Sequence, residues 1–220
     1  MDYIRSLYGD LPCLGVFAQD TSSLTEFSEL GKIRYQLIGK HGYIILPDLA
    51  SAFVPSHLRS AIEELITAGA EDFILDLRGN PGGRLVEMMQ VAGLFTSGFL
   101  WRTVTRWTFP LPYPAIGPIA TDKPLVLLID GDVNSAAEGL AGALQSVKRA
   151  TTIGETTAGN VEAVLPFCLR DGSQAWIATG VLAPLRGATW EGEGVKPDIA
   201  VAAEQALEAA IDFLNQPKKP

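Results

Sequence analysis

Lys123-Pro124-Leu125-Val126-Leu127-Leu128-Ile129-Asp130-Gly131-Asp132-Val133-Asn134-Ser135-Ala136-Ala137-Glu138 reads as a buried strand, a tight turn and a helix that opens on a serine. The unbroken apolar run Leu125 to Ile129, bounded by Pro124 and by the turn-formers Asp130, Gly131 and Asp132, is the pattern of a strand covered on both faces. Beyond it, Ala136, Leu140, Ala143, Leu144 and Val147 fall at helical spacing. Ser135 therefore stands where the carboxyl end of a strand hands over to the amino end of a helix. In open α/β sheets that edge binds ligands, and the unpaired N–H groups of the helix favour negative charge there. The same residues also fit a plain structural role, because Ser135-Ala136-Ala137-Glu138 matches the S-x-x-E capping box.

Outward from this stretch, strands and helices alternate. Lys32 to Ile38 alternates apolar and polar, turns at Gly39-Lys40-His41-Gly42 and continues as Tyr43-Ile44-Ile45-Leu46-Pro47, a hairpin leading into a buried strand. Pro55 begins a helix with Leu58, Ala61, Ile62, Leu65 and Ile66 on one face, ending near Gly69. Phe73 to Leu77 is a second buried strand, followed by Arg78-Gly79-Asn80-Pro81-Gly82-Gly83 and a helix carrying Leu85, Met88, Met89, Ala92 and Phe95. This order specifies a parallel sheet with right-handed crossovers.

The segment Thr96 to Thr121, rich in aromatics and prolines, reads as an extended excursion wrapping the core or as a binding surface; its stretch Trp101 to Tyr113 is also available as an oligomer interface. Ala150 to Gly154 reads as a short strand, Asp171-Gly172 as the turn of a hairpin between 161–169 and 174–181, and Ala206 to Leu214 as an amphipathic helix. Residues 1–31 form a poorly specified lead-in, the expected remnant of a missing amino-terminal domain; 32–216 form the core, and 217–220 a tail.

Composition narrows the function. The 220 residues carry a net charge of −8 with no basic cluster beyond Lys218-Lys219, which argues against nucleic acid and anionic membranes as partners. Cys13 and Cys168 lie far apart without metal-ligand spacing, so they read as two half-buried thiols, and neither a metal nor a cofactor is expected. No apolar run is long enough for a membrane span, and the amino terminus lacks the basic-then-apolar order of a signal peptide.

Four pieces, in this order and spacing, resemble the C-terminal processing peptidases, or tail-specific proteases, whose relatives include the tricorn core protease and the interphotoreceptor retinoid-binding protein. They are Gly42-Tyr43-Ile44; Ile74 to Gly83; the serine elbow continuing through Gly142-Ala143-Leu144-Gln145 and Arg149-Ala150-Thr151 to Gly154-Glu155-Thr156-Thr157-Ala158-Gly159; and Glu191 to Asp198. The resemblance implies an α/β fold with a ClpP/crotonase-like parallel β-sheet core, crossover helices and β-hairpin additions. It implies a serine endopeptidase acting on extended or unfolded polypeptide, with Ser135 as nucleophile, the N–H groups of Gly83 and Ala136 as oxyanion donors, and Gly82 and Asn80 against the substrate. It also leans toward an extracytoplasmic location. Two preorganised donors are what an acyl-transfer intermediate needs, and glycine lets backbone come close to substrate.

The chain departs from that pattern at the base. The family's lysine stands 25 residues after the serine, and here 160 − 135 = 25 falls on Asn160, whose amide is not a general base. The tricorn-like branch uses a histidine and a glutamate, and Glu191 stands where that glutamate would, as a candidate orienter. His41 precedes the first core strand, at the end of the sheet opposite Ser135, and reads as a turn histidine; His57 opens the first crossover helix on the correct edge and reads as a surface histidine. A base from a preceding domain or a partner subunit is an equal alternative. Glu155, Glu162 and Glu193 read as solvated charges, and Asp76 with Arg78 as an ion pair bracing the glycine bend. Two functions follow from the resemblance: an acyl-enzyme peptidase, or a catalytically impaired homologue that binds peptides or apolar ligands. Acyl-group chemistry of the crotonase kind is a third, opposed by the serine at the elbow.

Overall fold

The computed structural model describes residues 33–106 and 109–216. The lead-in 1–31, Cys13 within it and the tail 217–220 lie outside them. A hairpin opens the described chain, with β1 (Arg34–Ile38) antiparallel to β2 (His41–Ile45). Then follow α1 (Val54–Thr67), β3 (Asp72–Asp76), α2 (Leu85–Gly93), β4 (Phe99–Val104), β5 (Leu111–Pro114), β6 (Leu125–Ile129), α3 (Ala136–Ser146) and β7 (Thr151–Gly154). The chain continues as β8 (Glu162–Cys168), β9 (Gln174–Pro184), β10 (Ile199–Ala200) and α4 (Ala206–Asn215).

Six strands form the central sheet in the order β1-β2-β3-β6-β7-β10, and every pairing from β2 to β10 is parallel. The apolar runs are what put these strands at the centre. All five residues of β6 are buried, and consecutive side chains point to opposite faces. Leu125, Leu127 and Ile129 join the larger core with Leu75, Leu58 and Ile62 of α1, Met88 of α2 and Leu140 of α3. Val126 and Leu128 join a smaller core with Tyr43, Ile74 and Ile153, closed by Ala206 and Ala210 of α4. Each such side chain contributes roughly 1.5–3 kcal/mol of burial, and Leu127→Ala would cost about 2–5 kcal/mol.

The aromatic excursion departs from expectation. It contains two strands of a second, antiparallel sheet in the order β5-β4-β9-β8, so it is neither an irregular wrapping loop nor a wholly exposed surface. Trp101 is fully buried, and its Nε1 donates to the Gly139 carbonyl of α3 at 2.7 Å. This fixes the second sheet to the serine-bearing helix. The β8–β9 hairpin forms as the Asp171-Gly172 signal predicts. The first hairpin turns more tightly than expected: Gly39 and Lys40 alone make the turn, and His41 is already in β2 and buried. Cys168, expected to be half-buried, is exposed. No helix among the described residues is long and apolar enough to cross a membrane.

Candidate active site

Three turns at the carboxyl edge of the parallel strands converge on Ser135, and each is held by a buried or half-buried polar side chain. The first turn follows β6. Asp130 accepts the N–H groups of Asp132 and Val133 at 3.1 and 3.2 Å, closing its own turn, and also takes the Gly79 N–H at 3.0 Å from the neighbouring bend. Ser135 itself sits at φ 54°, ψ −121°, a conformation that costs a non-glycine residue about 1–3 kcal/mol. The chain passes through this strained residue and enters α3 at once, which turns the serine out of both strand and helix geometry.

The second turn is the bend after β3. Asn80 is fully buried; its amide nitrogen donates to the Leu46 carbonyl at 2.8 Å and its amide oxygen accepts the Gly82 N–H at 2.8 Å. Its backbone carbonyl accepts the Asn134 N–H at 3.0 Å, joining the bend to the serine turn. Gly82, at φ 95°, is pressed against the serine: a Cβ there would lie 2.6 Å from the Asn134 carbonyl oxygen, 2.8 Å from Ser135 Cβ and 2.9 Å from the Ala136 nitrogen. Gly83, at φ 151°, runs beside Leu49, where a Cβ would lie 2.4 Å from its carbonyl oxygen. Only glycine fits either place. Among the described residues, the N–H groups of Gly83 and Ala136 have no hydrogen-bond partner. A serine at a helix amino terminus, with unpaired donors on two separate segments, can accommodate negative charge developing on an oxygen.

The third turn follows β7 and is organised by Glu138, which is fully buried. One carboxylate oxygen accepts the Thr157 hydroxyl at 2.5 Å and the Gly159 N–H at 2.6 Å; the other accepts the Asn160 N–H at 2.8 Å and the Ser135 N–H at 3.2 Å. Ser135 and Glu138 are disposed as a capping box, whose glutamate arm accepts the Ser135 N–H at 3.2 Å. Thr157 in turn accepts the Val195 N–H at 2.7 Å. The role of Glu138 as an anchor for a loop more than twenty residues away was not read from the sequence; the S-x-x-E spacing showed only its local half.

The remaining expectations divide. Asp76 and Arg78 do form an ion pair at 2.6 Å beneath the bend; Arg78 also donates to the Ala203 carbonyl, and the Tyr43 hydroxyl donates to Asp76 at 2.6 Å. Burial and that bond to the carboxylate push the Tyr43 pKa up to about 12. Asn80 differs from its expected place against substrate, because it is sealed beneath the bend and spends its side chain on backbone groups. Glu191 orients no histidine: its carboxylate accepts the Val161 N–H at 2.8 Å and so holds the same turn as Glu138. Asn160 is exposed, and its backbone carbonyl accepts the Ser135 N–H at 3.0 Å, so this position does adjoin the serine.

His41 begins β2 in register with Asp72, at the amino ends of the parallel strands, and its Nδ1 lies 2.6 Å from that carboxylate. It is a buried strand residue, not a turn residue, at the edge opposite Ser135. His57 is exposed and stacks on Phe53 with ring centroids 6.0 Å apart. Glu193 pairs with Lys196 at the surface and Glu155 accepts the Ala203 N–H, while Glu162 is exposed. No general base pairs with Ser135 among the described residues, and none of their His, Cys, Asp and Glu side chains group in threes to hold a metal.

Residues 40–201 match the model of peptidase family S41. A carboxyl-terminal-processing protease of Synechocystis is 41% identical over 133 residues, covering 60% of this chain and 31% of the relative. A carboxy-terminal-processing protease of Bartonella bacilliformis is 30% identical over 202 residues, covering 86% and 44%. The chain thus spans less than half the length of either relative. Among solved structures, a photosystem II D1 C-terminal processing protease superposes with a TM-score of 0.72 at 26% identity, over 86% of this chain and 53% of that one. The tricorn protease shares the fold alone, with a TM-score of 0.50 at 20% identity. The matched span contains every turn that meets at Ser135, and on it the chain belongs to peptidase family S41.

Proposed function

We propose that the chain is the core of a serine-type endopeptidase of the C-terminal processing kind, cleaving extended or unfolded polypeptide through an acyl-enzyme at Ser135. The observation that supports this reading is the seating of Gly82 against Ser135 Cβ and the Ala136 nitrogen, with Gly83 next in the same bend. On this reading the Ser135 oxygen attacks a peptide carbonyl, its proton passes to a base, and the two amides take the charge forming on the carbonyl oxygen. The carbon–nitrogen bond then breaks, the amine leaves with a proton, and water releases the acyl group. The base comes from outside the described residues, from a preceding domain or a partner subunit. The catalytic core is residues 32–216, and an extracytoplasmic setting accords with the family resemblance.

A second reading, a binding homologue without turnover, draws support from the resemblance, which expects a lysine where Asn160 stands, and from the lack, among the described residues, of a general base paired with Ser135. A serine-directed phosphonate separates the two. The peptidase reading expects a mass adduct on the Ser135 peptide, absent in Ser135→Ala, together with hydrolysis of an unfolded protein. Neither adduct nor hydrolysis would leave the binding reading.

A further inference from the structure

Four segments build the site, 76–84, 130–138, 155–161 and 189–195, and they are strongly acidic. Their cations are Arg78 and Arg84 only. Arg78 is locked onto Asp76 through three hydrogen bonds. Arg84 is different. It directly follows Gly83, its N–H is spent on the Leu49 carbonyl at 2.9 Å, and its side chain is 61% exposed. Two residues of chain span at most about 7 Å, so its Cα is held close to the contact between Gly82 and Ser135.

What holds the guanidinium is Glu87, one turn into α2. The Glu87 carboxylate is 3% exposed, with one oxygen 3.3 Å from Arg84 Nη1 and the other without any hydrogen-bond partner. Burying a carboxylate with one oxygen unpartnered is unfavourable, and the largely exposed Arg84 guanidinium offsets it only in part. It does, however, place a fixed negative charge behind Arg84. The remaining guanidinium donors then face solvent, beside the exposed apolar side chains of Leu85 and Val86.

We propose that Arg84 is a specificity residue that receives a carboxylate of the bound polypeptide, with Glu87 as its positioning residue. This deepens the peptidase reading by naming a substrate feature, and it rests on that reading only for where the polypeptide lies. The carboxylate is either the chain's own terminus or an acidic side chain near the bond to be cut; a planar guanidinium suits both.

The test uses full-length Ser135→Ala protein, which binds without turnover, and one fluorescent peptide in three forms: free carboxyl terminus, amidated terminus, and amidated with aspartate placed at each position in turn. Anisotropy should give about fivefold tighter binding to one anionic form, since the pair is solvent-screened, and the preference should shrink at about 0.5 M salt. The form that wins identifies the source of the carboxylate. Arg84→Leu should abolish the preference. Because that variant leaves Glu87 buried and unpaired, Arg84→Leu/Glu87→Gln is measured beside it and should abolish the preference in a stable protein. Equal binding of charged and neutral peptides by the parent, or a preference that survives in the double variant, overturns the proposal and leaves Arg84 as a counterion only. Phosphonate labelling reports separately on Ser135, so failure of turnover is not confused with failure of recognition.

Discussion

The carboxylate of Glu138 accepts the Asn160 N–H at 2.8 Å, so the loop position where the resemblance expects a lysine is anchored by a residue on the serine's own helix. Ser135 and Asn160 are thus tied through one buried carboxylate, as well as directly by the bond from the Ser135 N–H to the Asn160 carbonyl. Glu138→Gln keeps the volume but turns an amide NH2 toward backbone donors. It should lower stability by about 3 kcal/mol in urea unfolding and weaken phosphonate labelling of Ser135. Unchanged stability would mean that the four hydrogen bonds are replaceable by water.

Asn160 sits in a turn whose backbone is fixed by Glu138 and Glu191, and its own side chain is exposed. Asn160→Lys should therefore fold normally and raise hydrolysis of an unfolded protein by about 10²–10⁴-fold, the range for a positioned general base. A stable variant with no gain in rate would show that the lysine is directed away from the serine.

Gly82 and Gly83 are predicted to be intolerant for different reasons. In Gly82→Ala the new methyl meets Ser135 and Ala136, so labelling of Ser135 should be lost. In Gly83→Ala it meets the Leu49 backbone, so the larger effect should be on stability, about 1–3 kcal/mol from the strained conformation and more from the clash. Urea titration and mass-detected labelling, run on both variants, separate the two effects.

Tyr43 gives the site a predicted alkaline limit. Its pKa is raised to about 12 in the folded protein, against about 10 in an unfolded chain, by burial first and by its bond to Asp76 second. The neutral phenol is the form that the fold favours. Its contribution is therefore complete below about pH 10 and is lost as pH rises toward about 12. Tyr43→Phe should flatten the fall of unfolding free energy across that window, and an unchanged slope would place the alkaline sensitivity in another group.

Much of the central sheet was legible because its strands are nearly continuous apolar runs; Leu125 to Ile129 needs no partner to be recognised as covered on both faces. Ser135 was legible because the strand, the turn residues and the helical spacing all point to one junction. The β4 and β5 half of the second sheet was not, since prolines at 110, 112 and 114 break the alternation around β5, and the pairing of β4 to β9 joins residues some eighty positions apart. Asn80 and Glu191 were misplaced for a related reason. Asparagine and glutamate near a loop look solvated in one dimension, and only the fold reveals that the acceptors and donors they meet are backbone groups of distant segments: Leu46 for one, Val161 for the other.

Among the described residues, one helix, α4, covers the smaller core. Ala206 and Ala210 of α4 are what keep Tyr43, Ile74, Val126, Leu128 and Ile153 from water. A cut anywhere between the 3-10 turn at Ala203–Gln205 and that helix would peel open one whole side of the sheet, and Tyr43 on that side braces Asp76 and Arg78 under the glycine bend. Loss of that helix would thus loosen the brace under the glycine bend from behind.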